Sequence, residues 1–519
     1  MGIKQFIQKL GQLNLFLAVE EDRLVLKRTK KQAAGDVATV NIDEEIVRYI
    51  KLNKSDLMQY LSEQEELQPV IKGEGIVAVY RLSALQEGLL FHSLYDSSGG
   101  AYIEQFSCEL DGLEESFFVA TWQHLIQQHS ILRSGFYEDE FNVMVQCVYK
   151  KVAVPLVKLD YSENSPEEQQ DLLKKYIAAD SIQGFHLKAA PLMRFTLVRL
   201  GADKCQLIWT FHHLILDGWS TSILMGEFLE IYELFSQGKA PVGKAEDKYE
   251  DYIRVLADND KHAAEQYWRN YLKDLSTPCL LPFIREGVDR TKGVALYRQE
   301  LLSLDKQLSK KIDKYCRTHR ITVNTFMQGI WAYLLHGYTG KEDVVYGITV
   351  STRPDDLPDM ESRVGMYTNT LPLYTTVLPE QPVADWFRQL QEDQVQSRGY
   401  QYSSLSEMQV WTGIGGDLFD TMITFQNYPV SEVIKSKQWQ LEVKDVEIIE
   451  QTSNYPLSLR IMLGDVINIQ FIYKEAVIDG ALVKSITGHF EYILQQLLAG
   501  TANTLGDLRL VTAAEETIL

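Results

Sequence analysis

The sequence has few cysteines, a deficit of basic residues and no long apolar run. Its five cysteines are spread over 519 residues without a C-x-x-C pair or a zinc pattern, which predicts buried thiols in a reducing cytosol and no metal site. Lys and Arg number 51 against 71 Asp and Glu, so a surface that binds nucleic acid is not expected. No stretch approaches the roughly 18 apolar residues of a membrane span, and residues 1–16 lack the apolar core of a signal peptide. These absences predict a cytoplasmic protein that binds neither nucleic acid nor membrane.

The charge is distributed unevenly, and this marks a first domain boundary. Residues 1–65 carry ten basic and ten acidic groups, so the whole net charge of -20 lies downstream. Within residues 1–65, apolar residues at helical spacing, two short strands, a basic loop and two further short helices predict an α-β-β-α-α unit. The strands are expected at 15–19 and 24–26, and the helices at 3–13, 43–52 and 55–61. Residues 66–75 contain a proline and two glycines, which predicts a linker.

A unit of this size buries only a small core, which favours binding over catalysis. A two-stranded hairpin has an open edge, and here a basic stretch follows it. The edge can therefore accept an extended acidic peptide as an added strand. A solubilising cap is the alternative. The basic residues of this predicted contact are Lys27, Arg28, Lys30 and Lys31.

Helical and strand patterns alternate over the remaining residues, which predicts an α/β class. The composition changes near residues 238–248. We therefore expect two lobes, residues 76–245 and residues 246–519.

The chemistry-bearing stretch runs from His212-His213 through three apolar residues to Asp217-Gly218. It follows an apolar strand, Leu207–Phe211, and precedes a helix whose predicted cap is Ser220 or Thr221. Neighbouring residues of an extended chain point to opposite faces, so only one of the two histidines can face a given cavity. A neutral imidazole there can accept a proton from an attacking nucleophile.

The alternative is a structural histidine that makes its hydrogen bonds within the core. This alternative explains a single histidine better than it explains the whole motif. Metal ligation is disfavoured because adjacent strand histidines diverge. A buried carboxylate at Asp217 requires a cation.

The pattern H-H-x-x-x-D-G is the signature of condensation domains in nonribosomal peptide synthetases, and the chain resembles that family from residue 76 to about residue 519. The other motifs of the family are present in order: Leu82–His92, Gln128–Phe136, Tyr249–Tyr252, Val364–Thr370 and Ser453–Leu457. Residues 1–65 resemble the N-terminal docking domains of the tubulysin-synthetase type, in the pattern from Phe6 onward.

The resemblance implies two lobes, each like chloramphenicol acetyltransferase, that meet in a V around a tunnel. It implies that His213 is the functional histidine, with His212 as its structural neighbour. Asp217 is implied to shape the loop by pairing with an arginine. Arg353 is the first candidate for this partner, and Arg133 is the second.

The three residues that directly follow Asp217 are also expected at the channel. A glycine at position 218 leaves room for a pantetheine thioester. Trp219 and Ser220 are expected to line the channel, and a helix cap is the alternative for Ser220.

The chain contains neither the serine motif of a carrier protein nor an adenylation motif, so its substrates must be delivered. The resemblance implies that 4′-phosphopantetheine arms of partner carrier proteins bring them, with no cofactor bound to this chain. An upstream donor carrier and the C-terminal tail of the preceding subunit are implied as partners. An acceptor carrier and an adenylation domain are implied downstream in the same subunit, because the final residues resemble the linker that leads to one.

The implied reaction is attack of an acceptor amine on a donor thioester, with His213 as either the general base or an orienting donor. The opening motif Leu82–His92 resembles the subclass that accepts D-configured donors. Three alternatives remain open: an epimerisation domain, an acyltransferase that uses soluble CoA, and an inactive recruitment platform. Such platforms tend to lose the second histidine, and His213 is intact.

Overall fold

The computed structural model divides the chain into two compact units, residues 1–76 and residues 77–519. The structure describes a hairpin of the first unit and most of the second unit. The described residues are 15–20, 23–28, 49–50, 54, 75–95, 102–138, 143–285, 287–288, 290, 297–426, 434, 439–450, 455–511 and 515.

The strands described in the first unit form an antiparallel hairpin. Strand β1 (Leu15–Glu20) pairs with β2 (Arg23–Arg28), so the predicted hairpin is confirmed. Lys30, Lys31 and the helices predicted at 3–13 and 55–61 lie outside the described residues. Of the helix predicted at 43–52, only residues 49 and 50 are described, and both are helical.

Strands and helices alternate through residues 76–246, as the α/β prediction requires. The strands are β3 (Ile76–Arg81), β4 (Ile103–Asp111), β5 (Ser134–Tyr137), β6 (Val145–Tyr149), β7 (Leu156–Asp160), β8 (Met193–Arg199) and β9 (Lys204–His212). The helices are α1 (Ala84–Tyr95), α2 (Glu115–Gln128), α3 (Pro166–Gln183) and α4 (Gly218–Ser236). A short 3₁₀ turn, Ser130–Arg133, links α2 to β5.

The same alternation continues through residues 249–499. The helices are α5 (Tyr249–Ala257), α6 (Lys261–Tyr271), α7 (Lys306–His319), α8 (Val323–Thr339), α9 (Val383–Ser397), α10 (Leu405–Thr412) and α11 (Gly480–Ala499). The strands are β10 (Tyr297–Leu304), β11 (Asp343–Ser351), β12 (Thr368–Thr376), β13 (Thr421–Gln426), β14 (Glu442–Glu450), β15 (Leu457–Met462) and β16 (Ile467–Lys474). Among the described residues, no helix combines the length and the apolar character that crossing a membrane requires.

The strands of the second unit form three sheets. A five-stranded sheet has the order β14-β4-β9-β8-β7, and a six-stranded sheet has the order β10-β16-β15-β13-β11-β12. Strands β3, β6 and β5 form a small third sheet. One strand from beyond the boundary predicted between residues 245 and 246 joins the five-stranded sheet of the first half, because β14 pairs antiparallel with β4.

Two hydrophobic clusters fill the second unit. The cluster that contains Trp122, Trp209 and Phe211 supports the histidine motif. In that cluster the ring centroids of Trp122 and Phe195 are 4.3 Å apart, and those of Trp122 and Trp209 are 5.0 Å apart. Such aromatic pairs contribute about 0.5–1.5 kcal/mol each beyond their buried area. Tyr249 and Tyr367 join this cluster from beyond residue 246. All five cysteines are free thiols, and four of them are buried, as predicted.

Candidate active site

The histidine pair lies where β9 leaves the core of the five-stranded sheet. The strand ends at His212, one residue beyond the predicted end at Phe211. The rings of Trp209 and Phe211 pack together with centroids 4.9 Å apart, and both side chains are buried. Because this packing fixes the strand, it also fixes the directions of the two histidines.

His212 points into the core and is 2% exposed. The backbone N–H of Leu214 donates to its Nδ1 at 3.1 Å, and its Nε2 lies 3.3 Å from the Oγ of Ser93. The Ser93 hydroxyl donates to the carbonyl of Leu89 at 2.8 Å. These contacts select the neutral tautomer with its proton on Nε2. Burial, with repulsion from His213, lowers the pKa of His212 to about 3.

His213 faces the opposite way and borders a cavity of about 640 Å³. Its side chain is 27% exposed, and its backbone N–H donates to the carbonyl of Tyr102 at 2.8 Å. The two adjacent histidines therefore diverge, as the alternation along a strand predicts.

Glu104 is a residue of this site that the sequence reasoning missed. Its Oε1 lies 2.7 Å from the Nδ1 of His213, a contact with the distance but not the angle of a regular hydrogen bond. Strand β4 runs antiparallel to β9 with Glu104 opposite Phe211. Because residues 211 and 213 lie two apart, Glu104 is a diagonal neighbour of His213 on the same face. The available signal was a carboxylate in the apolar register of an alternating strand, because Phe106, Cys108 and Leu110 follow Glu104 at every second position.

Asp217 is the N-cap of α4, a role that the sequence analysis gave to Ser220 or Thr221. Its Oδ1 accepts a hydrogen bond from the N–H of Ser220 at 2.7 Å, and its Oδ2 accepts one from the N–H of Tyr367 at 3.1 Å. The cap lies at Asp217 because the carboxylate reaches the free N–H groups of the first helical turn.

Arg353 supplies the cation that the buried Asp217 requires. Its Nη2 lies 3.3 Å and 3.4 Å from the two oxygens of Asp217. Its Nη1 donates to the carbonyls of Met360 and Arg363 at 2.9 Å each. Its guanidinium also lies 4.4 Å from the ring centroid of Tyr367. One side chain therefore holds the start of α4 against the segment between β11 and β12.

Arg133, the second candidate partner of Asp217, lies elsewhere. It is 1% exposed, and its Nε donates to the carbonyl of Ile126 at 3.0 Å. Its Nη2 contacts Glu246. The guanidinium is thus occupied within its own part of the fold and does not reach Asp217.

Both halves of the second unit contribute to the cavity wall. Its lining includes Tyr102, Glu104, His213 and Gly218 from the first half, and Thr349, Asn369, Thr424 and Ser458 from the second half. Gly218 therefore lies on the cavity wall. Among the described residues, no group of three or more His, Cys, Asp or Glu side chains could hold a metal ion.

Trp219 and Ser220 do not belong to the described lining, contrary to expectation. The hydroxyl of Ser220 donates to the carbonyl of Gly365 at 2.8 Å, and it accepts from the Nη2 of Arg353 at 3.1 Å. Trp219 is 38% exposed, and its indole N–H lies 3.5 Å from the carbonyl of Glu361. The turn of the helix directs both side chains away from the cavity.

The comparison with known proteins decides the family. A model described as the condensation domain matches residues 76–519. The chain belongs to the condensation-domain family. This family consists of the amide-bond-forming acyltransferases of nonribosomal peptide synthetases, and peptide-bond formation is its activity.

The relatives of this condensation domain are parts of much longer synthetases. It is 38% identical over 448 residues to a linear gramicidin synthase of Brevibacillus parabrevis, covering 84% of this chain and 6% of that protein. It is 32% identical over 448 residues to bacitracin synthase 3 of Bacillus licheniformis, covering 84% and 7%. The chain therefore spans less than a tenth of the length of these relatives.

A solved structure shares the fold. The first condensation domain of the calcium-dependent antibiotic synthetase, in complex with a substrate analogue, matches with a TM-score of 0.68 and 18% identity. The match covers 84% of this chain and 100% of that structure. The mixed α/β fold implied by the resemblance is thus confirmed, and the V-shaped arrangement of the lobes stays a prediction.

The opening motif of the condensation domain supports the histidine loop from outside the sheet. The side-chain amide of Gln86 donates to the carbonyl of Leu214 at 2.9 Å. Gln86 is fully buried, so this hydrogen bond is shielded from water. Other residues of the same helix line the cavity, among them Glu87, Gly88, Leu89, Phe91 and His92.

The second motif of the condensation domain contains another buried histidine, His129. Its Nε2 lies 2.7 Å from Glu227 and its Nδ1 lies 2.9 Å from Asp247, so each nitrogen has a carboxylate partner. Burial alone would lower the pKa of His129, but the hydrogen bonds to Asp247 and Glu227 outweigh it and raise the pKa to about 9. Arg363 and Lys244 contact the same two carboxylates. This cluster connects α2, α4 and the segment before β12.

Proposed function

We propose that this chain joins two substrates that are both carried as thioesters on the 4′-phosphopantetheine arms of carrier proteins. The amine of an acceptor aminoacyl thioester attacks the carbonyl carbon of a donor peptidyl or aminoacyl thioester beside His213. The observation that carries this proposal is the imidazole of His213 on the wall of a cavity that both halves of the unit line.

The proposed step balances with one proton transfer. The acceptor nitrogen forms a bond to the donor carbonyl carbon, and the bond from that carbon to sulfur breaks. His213 accepts a proton from the attacking amine and returns it to the leaving thiolate. General-base assistance of about 10² to 10⁴-fold corresponds to a barrier lower by about 3 to 5 kcal/mol. Alignment of the two tethered arms supplies a further part of the rate.

The cavity suits substrates on flexible arms. Its volume of about 640 Å³ lies within the range of pockets that hold ligands of moderate size. Gly218 presents no side chain at the wall where the reacting groups meet. The lining from the second half is rich in small hydroxyl side chains, which offer hydrogen bonds to an amide-containing arm without blocking it.

The direct test is dipeptide formation between two loaded carrier proteins. We expect His213→Ala to abolish product formation while leaving the melting temperature close to that of the wild-type protein, because His213 is partly exposed and lines a cavity. The matched control is His262→Ala on the exposed surface of α6, which should retain wild-type rates. Wild-type product formation by His213→Ala would contradict the proposal.

We propose further that the donor has the D configuration, because Leu82–His92 resembles the motif of that subclass. The proposal is supported by the position of Glu87, Phe91 and His92 on the cavity wall, where they can contact a substrate. Reconstitution with D- and L-aminoacyl donor carriers tests it, and preferential transfer of the L donor would contradict it.

The same reconstitution separates the remaining activities. An epimerisation domain would scramble the α-carbon of a single aminoacyl carrier when no second carrier is present. A CoA-dependent acyltransferase would turn over acyl-CoA with a free amine. A recruitment platform would form no product at all. Dependence on both carriers, with retention of α-stereochemistry, supports condensation.

For residues 1–65 we propose docking of the acidic C-terminal tail of the preceding subunit along the hairpin β1–β2. The proposed selectivity lies in Lys27, Arg28, Lys30 and Lys31, which follow or end the second strand. Deletion of residues 1–65 should weaken transfer from the separate upstream subunit but spare transfer from a donor fused to this chain. Equal loss in both assays would contradict docking, and added salt should weaken the contact.

A further inference from the structure

Glu104 is a buried carboxylate at the reaction cavity that the proposed step has not used. The residue is 8% exposed, and it lines the cavity together with His213 and Tyr102. A carboxylate removed from water in this way is costly unless a donor or a cation lies beside it. The imidazole of His213, with its Nδ1 2.7 Å from Oε1 of Glu104, is such a group.

The distance decides which nitrogen of His213 holds the proton. A carboxylate accepts hydrogen bonds, so an Nδ1 atom this close to Glu104 is favoured as an N–H donor. The neutral ring then has its lone pair on Nε2. Catalytic contacts are often poorly aligned before the substrate binds and tighten in the complex, so the imperfect angle at Nδ1 is compatible with this arrangement.

The neighbouring histidine cannot take over this task. His212 has its Nδ1 occupied by the N–H of Leu214 and its Nε2 beside Ser93, and it is buried on the other face of the strand. Asp217 also lies on the cavity wall, but its oxygens are held by Ser220, Tyr367 and Arg353. Glu104 is a carboxylate of this wall that contacts His213, with Oε1 2.7 Å from Nδ1.

We infer that Glu104 is a positioning residue for His213. Its carboxylate holds the Nδ1–H, turns Nε2 toward the acceptor amine and stabilises the imidazolium that forms when this amine loses its proton. The proton moves only between the amine, Nε2 of His213 and the departing thiolate. The inference rests on the role proposed for His213 in peptide-bond formation.

The kinetic test uses three variants of the full chain with both loaded carriers. Glu104→Gln keeps the shape and removes the charge, and Glu104→Asp keeps the charge with a shorter reach. Glu109→Gln is the matched control on the same strand, because Glu109 pairs with Lys204 at 2.6 Å, away from the cavity.

We expect Glu104→Gln to lower kcat about 10²-fold, with KM for the acceptor carrier within about twofold of the wild-type value. Glu104→Asp should lose less than Glu104→Gln, and Glu109→Gln should match the wild type. An unchanged kcat in Glu104→Gln, or a raised KM with kcat retained, would overturn the inference.

A spectroscopic test on the wild-type protein does not depend on activity or on the folding of any variant. With ¹⁵N-labelled histidine, the His213 ring signals are identified by their loss in His213→Ala. The inference requires the tautomer with Nδ1 protonated in the wild type and a shift of this population in Glu104→Gln. A His213 ring protonated on Nε2 alone in the wild type would refute it.

The two readouts separate this inference from the proposed function. If the wild-type protein forms no peptide bond with loaded carriers, or if His213→Ala is fully active, the proposed function fails. The tautomer of His213 in the wild type still decides whether Glu104 holds its Nδ1–H.

Discussion

Asp217 and Arg353, which lie 136 residues apart in the sequence, form a buried ion pair that connects the first turn of α4 to the segment before β12. Their side chains are 3% and 13% exposed. Asp217 also caps the helix, and Arg353 also holds two backbone carbonyls. The pair therefore fixes the loop that contains Gly218 beside the cavity, and it has a structural role that can be measured apart from catalysis.

Asp217→Ala is expected to destabilise the protein by about 3–5 kcal/mol, because it leaves the guanidinium of Arg353 buried without its carboxylate. Peptide-bond formation should fall as well. Urea denaturation measures the first effect. The control is Arg254→Ala, which removes an exposed pair with Glu250 and should leave the free energy of unfolding nearly unchanged. Equal stability of Asp217→Ala and the wild type would contradict a structural role for the pair.

Gly365→Ala is expected to destabilise the protein by about 1–3 kcal/mol. A β-carbon at this position would lie 2.4 Å from the ring of Tyr249, which is fully buried and cannot move aside freely. The backbone of Gly365 also bonds Ser220, so the strain would reach the start of α4. Thermal denaturation measures the effect.

The matched control for Gly365→Ala is Gly488→Ala within α11, where an added β-carbon meets no atom within 4 Å. Alanine favours a helix over glycine by about 1 kcal/mol, so this substitution should stabilise the protein. If Gly365→Ala melts at or above the wild-type temperature, the structure around Tyr249 accommodates the added β-carbon and the prediction is wrong.

His129 should stabilise the protein in neutral solution and lose this effect in alkali. Its pKa is raised to about 9 in the folded protein, above the value of about 6.5 for an unfolded chain. The stabilisation is therefore complete below about pH 6.5 and is lost as the pH rises through about 9. The difference in unfolding free energy between wild type and His129→Asn should shrink over this range. If the difference in unfolding free energy for His129→Asn does not change with pH, protonated His129 does not stabilise the protein through this cluster.

His212 should have the opposite dependence on pH. Burial holds its pKa at about 3 in the folded protein, below the unfolded value of about 6.5. Its contribution is therefore complete above about pH 6.5 and is lost as the pH falls toward 3. The variant His212→Asn keeps an acceptor for the N–H of Leu214, and its unfolding free energy should fall less steeply with acid than that of the wild type. Parallel acid curves for the two proteins would show that His212 is not held neutral.

The sequence by itself determined the features that depend on local chemistry. The hairpin at 15–28 follows from two short apolar runs around an acidic turn, and the divergence of His212 and His213 follows from the alternation of side chains along a strand. The ordered motifs from Leu82 to Leu457 also sufficed for the family, which the match over residues 76–519 confirms.

Only the tertiary structure decided which distant residues meet. Periodicity indicates the face on which a side chain lies, but the neighbour and register of a strand are set by packing across the whole unit. The position of Glu104 beside His213 therefore depends on the pairing of β4 with β9. The place of β14 depends likewise on its pairing with β4 in the same sheet. Asp217 pairs with Arg353, whereas Arg133 pairs with Glu246. These contacts join residues that are far apart in the sequence, so no local sequence pattern indicates which arginine pairs with Asp217.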